Sequence, residues 1–361
     1  MSAADRQSEP RQPRRMLRLS LQLAGFLIGL VILAWCAKLA FGPKNQEGLR
    51  RLSEASPMLI AGLVATSGVG VIVNGLIFWL TIRPVRAIKL SDMLATNALA
   101  TFLSYLPFKL SLMARVAIHR QRDKVPLALI GPWFAAIGVV LIATVGPILA
   151  VSIWRQRLDA LWIIGLIVLL GVVAATISTL ASLLGNARGL GLIQRWADRQ
   201  PIGFLRRFVR SEPFCTFDEA LAMLGRFPHV GVLIALRMAD LTAMAARFYL
   251  AGRIVGSPMT PGDSFLGSIA YFLIGVFSPI GSLGAREGGT AGLLSQLGQI
   301  DLEQLALIAV VVTGAELIVN TFFAAVGIAW LRPDRLIRTA QPTDLPSRDA
   351  HRTGHTQSDD R

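Results

Sequence analysis

The sequence predicts an all-α polytopic membrane protein with about six full transmembrane helices and two re-entrant helical hairpins. The first observation is composition: 53% of the residues are hydrophobic, only 16% are charged, and the mean hydropathy is +0.56. Soluble proteins of this size carry more charge. The second is that several apolar runs exceed the roughly 18–20 residues that cross a bilayer. The third is the distribution of Lys and Arg, which predicts how the runs connect.

The full-length spans are expected at six long apolar runs of the sequence. The first is too long for a cleaved signal peptide, and no small-residue cleavage site follows it. The runs cover residues 18–41, 57–82, 127–152, 160–184, 228–252 and 304–331.

The net charge of +14 is explained by basic loops that stay in the cytoplasm and face anionic headgroups. Nucleic acid is therefore not an expected partner. The basic N-terminus, residues 1–17, is predicted to be cytoplasmic, as is the polar tail 332–361, which is predicted to be disordered. The transmembrane domain between them, residues 18–331, is expected in the inner membrane of a bacterium. The loop "PIGFLRRFVR" is predicted to form an amphipathic surface helix, with an ordinary basic loop as the alternative.

The first hairpin is predicted from a conflict between charge and topology in residues 93–118. If this run were a simple span, Arg120, Arg122 and the arginine-rich loop at 186–212 would all lie outside. A hairpin that turns near Leu106–Pro107 and leaves on the cytoplasmic side removes the conflict, because proline breaks the helix. Each half is then too short to span the membrane.

The second hairpin is predicted in "VFSPIGSLGAREGGTAGLL", which begins at Val276 and separates apolar residues 264–279 from 286–300. Entered from outside, it brings the C-terminus inside, and inside Lys and Arg then outnumber outside ones about threefold. Both hairpins carry a proline followed seven or eight residues later by an arginine, Pro107–Arg115 and Pro279–Arg286. This echo predicts an inverted repeat whose broken helices meet near the midplane.

Charged residues at membrane depth are the candidate site residues, because intramembrane charges are costly and tend to be functional. In the second hairpin, Arg286 lies in the first turn of a half-helix that starts near Gly284, an arrangement typical of anion binding. Glu287 is expected to orient Arg286 or to take a proton. The alternative is that Arg286 and Glu287 pair with other helices and only hold the fold.

Further candidates are the matching basic residues of the first hairpin and a few polar residues of the last spans. In the first hairpin they are Lys109 and Arg115, although Arg115 could instead snorkel to the interface. Arg237 and Asp240 are i,i+3 and are expected to pair on one helix face. Glu316 is a possible partner for Arg286 or Arg237, or a proton-coupling group.

The sequence "SPIGSLGAREGG" resembles the Pro-x-Gly-x-x-Gly-x-Arg-Glu-Gly signature of the lysylphosphatidylglycerol synthase transmembrane-region family, also called flippase-like. "LPFKLSLMAR" is similar to that family's earlier Leu-Pro-x-x-x-Gly-x-x-x-Arg element. The resemblance covers most of residues 18–331 and implies a bacterial inner-membrane protein that handles lipid. The positions that match the later signature, and that it implies for substrate binding, are Pro279, Gly281, Gly284, Arg286 and Glu287.

Four functions remain open from the sequence, and the fourth, a secondary transporter of a soluble metabolite, is less expected because of the family resemblance. The first is a translocase for an anionic or polar lipid, with membrane lipids, above all anionic phospholipids, as partners. The second is an accessory membrane protein of lipid or hopanoid/glycolipid biosynthesis, without transport activity and with a partner enzyme. The third is a membrane-embedded lipid-modifying enzyme, which is less expected because the sequence has no metal-ligand cluster and no acidic pair at close spacing. No cofactor is expected, and the chain is expected to lack the soluble aminoacyltransferase domain of the synthases.

Overall fold

The structure, a computed structural model, describes most of the transmembrane domain. The described ranges are 12–106, 109–155, 158–185, 223–278, 282–297 and 300–332, together with residues 191, 195–196, 198–199 and 221. The predicted surface helix "PIGFLRRFVR", the hairpin prolines 107 and 279, and residues 1–11 and 333–361 of the predicted tails lie outside the described residues. Residues 12–17 of the predicted N-terminal tail belong to the first helix.

Six helices in the described ranges are long and apolar enough to cross a membrane, as predicted. The shortest has 25 residues, which corresponds to about 37 Å at 1.5 Å per residue and exceeds the roughly 30 Å hydrocarbon core. They are α1 (Gln12–Ala40), α3 (Pro57–Ile82), α6 (Leu127–Arg155), α7 (Ala160–Leu184), α8 (Phe227–Val255) and α11 (Leu302–Leu331).

Four shorter helices form two hairpins at the places that the charge argument predicted. The first hairpin pairs α4 (Leu90–Leu103) with α5 (Leu110–Gln121), and the second pairs α9 (Pro261–Phe277) with α10 (Ala285–Leu297). Their lengths of 14, 12, 17 and 13 residues correspond to about 18–26 Å, less than the bilayer core. A short amphipathic helix, α2 (Gln46–Ser53), follows α1.

The order long helix, two short helices, long helix occurs twice, in α3–α6 and again in α8–α11. The equivalent helices α3 and α8 pack together and run antiparallel. Gly62 near the start of α3 lies beside Leu250 near the end of α8. Phe78 near the end of α3 shares a hydrophobic cluster with Leu233 near the start of α8. The two units therefore run in opposite directions, which is the relationship expected of an inverted repeat.

The second hairpin begins with a capping box. The Thr260 hydroxyl oxygen accepts from the backbone N–H of Asp263 at 3.2 Å, and the Asp263 carboxylate accepts from the backbone N–H of Thr260 at 3.0 Å. Pro261 follows at the first helical position, where its missing N–H costs nothing. These residues fix where α9 begins, directly after α8 has ended at the left-handed Gly256.

Small residues bring the hairpins close to the long helices. Gly284, at φ +80°, lies against the carbonyl oxygen of Gly29 in α1, where a side chain has no room. In α11, a Cβ on Gly327 would lie 2.7 Å from the carbonyl oxygen of Ala95, so α11 packs closely along α4. The equivalent pair in the other unit, α6 and α9, does not pack along its length in the described part of the chain.

Polar contacts tie the helices together at both ends of the bundle. At one end Lys44 Nζ lies 2.9 Å from Glu303 Oε1. At the other end the Asp92 carboxylate accepts from Arg122 and from the Trp330 indole, both at 2.8 Å. Between these ends the surface is largely apolar, so the charged groups at depth must be sought inside.

Candidate functional site

A cavity of about 550 Å³ lies at the centre of the bundle, between the two hairpins and the middle turns of α3, α6, α8 and α11. We call it the central cavity. Its lining combines apolar side chains with polar groups from both repeat units. The polar and charged residues are Ser67, Asn74, Thr101, Ser104, Tyr105, Lys109, Ser111, Arg115, Arg237, Asp240, Arg247, Ser278, Ser282, Arg286, Glu316 and Asn320.

Glu316 on α11 is the most connected carboxylate of the central cavity. Its Oε1 accepts from Arg247 of α8, and its Oε2 lies 3.4 Å from Arg286 Nη2 of α10. The hydroxyl of Tyr271 lies 3.1 Å from Oε2, and that of Tyr105 lies 3.4 Å away. One buried carboxylate thus compensates two arginines from different helices.

Arg286 is held between two aromatic rings as well as by this ion pair. Its guanidinium carbon lies 4.3 Å from the centroid of the Tyr271 ring and 5.3 Å from that of Tyr105. Gly275 makes room for it, because a Cβ there would lie 2.6 Å from Arg286 Cδ. The sequence left open whether Arg286 binds a ligand or pairs with another helix. In the structure Arg286 pairs with Glu316 and also lines the cavity.

Arg237 and Asp240 form the predicted pair on one face of α8, with 2.8 Å between Nη1 and Oδ2. The Arg237 guanidinium carbon also lies 5.3 Å from the centroid of the Phe272 ring of α9. Of the two partners that the sequence offered for Glu316, the structure places Arg286 beside it and Arg237 beside Asp240.

Glu287 lies outside the lining of the central cavity, although it follows Arg286 directly. Its carboxylate is fully buried and accepts from the backbone N–H of Gly284 at 2.6 Å and from the Thr313 hydroxyl at 2.7 Å. The first contact is the return half of a capping box, in which a side chain satisfies a free N–H at the helix start. The anion at the start of α10 is thus the chain's own carboxylate.

Arg115 of α5 is buried, with 5% of its surface exposed, and it has no carboxylate partner among the described residues. Its Nη2 donates to Asn97 Oδ1 at 2.6 Å, and its guanidinium carbon lies 4.0 Å from the centroid of the Phe78 ring. Its Nη1 is buried and has no hydrogen-bond partner in the described part of the chain. Asn97 is in turn fixed by Asn74 and by the carbonyl oxygen of Val71.

Lys109 precedes α5 at the tip of the first hairpin, in a left-handed backbone conformation with φ 52°. It is exposed and lines the central cavity, as Arg115 does. The tips of the two hairpins meet beside it, where the Ser282 hydroxyl donates to the carbonyl oxygen of Ser104 at 3.0 Å. The lining therefore contains basic groups from both hairpins, as the inverted-repeat prediction requires.

Basic groups exceed acidic groups in the central cavity. The lining has five cationic side chains, Lys109, Arg115, Arg237, Arg247 and Arg286, against the two carboxylates of Asp240 and Glu316. Counting the nearby Glu287 still leaves an excess of positive charge. Burying unpaired charge is costly, so a cavity of this kind favours an anionic occupant.

A comparison of the chain with protein families bears on what that occupant is. The family model described as the lysylphosphatidylglycerol synthase TM region matches residues 22–324. The chain belongs to this family. No curated protein and no solved structure matches it.

Membership of the lysylphosphatidylglycerol synthase TM region family confirms the resemblance and identifies a multi-pass membrane protein related to lipid metabolism or transport. The matched range contains both hairpins and the whole lining of the central cavity. Of the motif residues, Arg286 lines the cavity and Gly284 packs against α1. Pro279 and Gly281 lie outside the described residues.

Three residues that complete this family member's cavity were not among the predicted site residues. Tyr105 and Tyr271 contact both Glu316 and Arg286, and Arg247 is the second arginine on Glu316. Arg247 carried the same signal as Arg237, a charge at membrane depth. The tyrosines gave no such signal in the sequence, because an aromatic residue within an apolar run is typical of the hydrophobic core. No cluster of three or more metal-ligating side chains occurs in the part of the chain that the structure describes.

Proposed function

We propose that the central cavity binds the anionic headgroup of a membrane lipid and that the protein moves this headgroup between the leaflets. The observation that carries the proposal is Arg115, a buried arginine that faces the cavity without an acidic partner. A lipid phosphate would supply the missing negative charge.

The chemistry of Arg115 fits a phosphate oxygen. Guanidinium groups bind phosphate through N–H donors, and Nη1 of Arg115 is a buried donor without a hydrogen-bond partner among the described residues. Asn97 holds Nη2, so the guanidinium is oriented before a ligand arrives. Lys109, on the same side of the cavity, adds a second positive charge to which the phosphate is attracted.

The distribution of basic residues supports a topology for this function. Both termini are placed in the cytoplasm, and the membrane is taken as the inner membrane of a bacterium. In that orientation the two hairpins enter from opposite faces, and their tips, which meet at Ser104 and Ser282, lie near the midplane. A site at the midplane between inverted units is where a substrate becomes accessible from alternate sides.

Translocation is slow without protein because the headgroup loses its hydrogen bonds to water in the hydrocarbon core. The central cavity offers replacement partners at that depth. Glu316 is the candidate coupling group, because it holds Arg247 and Arg286, and an entering phosphate competes with it for Arg286.

The experiment measures movement of a fluorescent phosphatidylglycerol between the leaflets of proteoliposomes. We expect Arg115→Gln to slow translocation by at least about tenfold, which corresponds to about 1.4 kcal/mol. Arg120→Gln is the matched control, since Arg120 is an exposed arginine of the same helix outside the cavity lining. We expect Arg286→Ala to abolish movement as well.

The outcomes separate the candidate functions. Translocation at the wild-type rate by Arg115→Gln overturns the proposal. An accessory protein that works with a partner enzyme of lipid biosynthesis would bind phosphatidylglycerol in an Arg115-dependent way but would not move it. An enzyme that modifies lipids would change the headgroup of the recovered lipid, which mass spectrometry of the vesicles detects.

A further inference from the structure

We propose that the lipid reaches the central cavity sideways from the bilayer, through a gap between α6 and α9, with its acyl chains remaining in that gap. We call this gap the portal and define it by Gly138 and Leu141 of α6 and by Phe272 and Val276 of α9. The inference rests on the proposed function, in which an anionic lipid headgroup occupies the cavity.

The first observation is a break in the symmetry between the two repeat units. In one unit the last long helix, α11, packs closely along the first short helix of the opposite hairpin, α4, where Gly327 meets Ala95. The equivalent pair is α6 and α9. These helices share a hydrophobic cluster through Val145, Ile148 and Ile269, but they are not packed along their length in the described residues.

The second observation is that few atoms cover the portal residues Gly138 and Val276. Gly138 lines the central cavity, and a Cβ added to it would find no atom within 4 Å. Val276, which also lines the cavity, is 50% exposed at the end of α9. Unfilled space at Gly138 and an exposed apolar side chain at Val276 therefore border the cavity on this side.

The third observation is the change of chemistry along this route. The rim is formed by apolar or small side chains, and the first charged group behind it is Arg237, which lies against the Phe272 ring. An apolar rim in front of a cationic interior matches an amphiphile whose headgroup lies inside and whose chains lie outside. A free phosphate ion would have to lose its water at that rim without a replacement partner.

The first test blocks the portal with a large side chain. We expect Gly138→Trp to slow phosphatidylglycerol translocation by at least about tenfold, because the indole fills empty space between α6 and α9. Gly146→Trp is the control on the same helix: it also has no atom within 4 Å of an added Cβ, but it lines a separate apolar groove on α6 and α7. We expect Gly146→Trp to keep the wild-type rate.

The second test distinguishes failure of the portal from failure of translocation. A photo-crosslinking benzoylphenylalanine replaces Gly138 or Gly146 in vesicles of phosphatidylcholine with a minor share of phosphatidylglycerol. We expect phosphatidylglycerol adducts to exceed that share at position 138 only, and Arg115→Gln to remove the excess. Equal adduct ratios at the two positions, or wild-type translocation by a correctly folded Gly138→Trp variant, overturn the portal. A wild-type protein that shows the adducts but moves no lipid overturns the proposed function and leaves the portal standing.

Discussion

Neutralising Glu316 is expected to weaken the fold and strengthen anion binding at the same time. Glu316→Gln keeps the size of the side chain and an oxygen that can accept from the tyrosines, but it removes the negative charge that Arg247 and Arg286 share. The side chain of Glu316 is only 5% exposed, so water does not replace the lost carboxylate.

The magnitude follows from two attractions set against one desolvation cost. Unit charges about 4 Å apart attract by about 4 kcal/mol at an effective dielectric constant of about 20. Two arginines therefore lose about 8 kcal/mol of attraction, while the desolvation of the carboxylate, several kcal/mol, is no longer paid. We expect a net loss of about 3–5 kcal/mol in the free energy of unfolding, the range found when a buried pair loses one partner.

The assay is reversible unfolding in mixed micelles of increasing SDS content, followed by far-UV circular dichroism. A double-mutant cycle adds Arg247→Met, which removes one of the two arginines left without a partner. We expect the double variant to be more stable than the sum of the single variants by about 1–3 kcal/mol. A loss below about 0.5 kcal/mol for Glu316→Gln, with no coupling to Arg247, would refute the reasoning.

For the same variant we expect a gain in lipid affinity, in contrast to its loss of stability. Because Arg286 and Arg247 then lack their carboxylate, Glu316→Gln is expected to bind phosphatidylglycerol more tightly than the wild type does. Added phosphatidylglycerol should raise the stability of the variant by more than that of the wild type, since a ligand stabilises the folded state in proportion to its affinity. Equal stabilisation of both proteins would mean that the lipid anion does not approach Glu316.

Three further substitutions test how the site is positioned. Gly284→Ala should destabilise the protein by more than about 3 kcal/mol in the SDS titration, because its Cβ collides with the Gly29 backbone and φ +80° disfavours alanine; stability like the wild type would contradict this. Thr260→Ala should cost about 1 kcal/mol in the same titration, as the loss of an N-cap does, and it should leave translocation unchanged. Tyr271→Phe removes a hydroxyl at 3.1 Å from Glu316 and should cost about 0.6–2 kcal/mol, whereas an unchanged midpoint would show that the contact does not form.

Much of the fold could be predicted because the bilayer restricts the answer. Six apolar runs had to be helices, and their observed bounds differ from the predicted ones by only a few residues. The hairpins were harder to predict than the spans, because residues 93–118 are long enough to cross the membrane as a single helix. Counting Lys and Arg decided this case, and the short helices Leu90–Leu103 and Leu110–Gln121 confirm it.

The charged residues of the site were found because each stands out in an apolar run, but their partners were not. Asp240 with Arg237 was predictable from i,i+3 spacing within one helix. The ion pair of Glu316 and Arg247 joins two helices. The two residues are 69 positions apart in the chain, so no local spacing indicates their contact. Glu287 was misleading in another way, because its neighbour Arg286 faces the cavity while its own carboxylate caps α10.

The partial compensation of charge bears on how a translocase can both bind and release an anion. If all five lining cations lacked partners, a phosphate would be bound tightly and would leave slowly; if all were paired, it would not enter. Glu316 and Asp240 place the cavity between these limits, and Arg115 on the first hairpin keeps a free donor. In the proposed translocation, an anion would replace Glu316 at Arg286 and would be replaced by Glu316 when it leaves. Glu316→Gln should therefore bind lipid more tightly yet move it more slowly, and a variant that binds tightly and moves lipid faster would contradict this exchange.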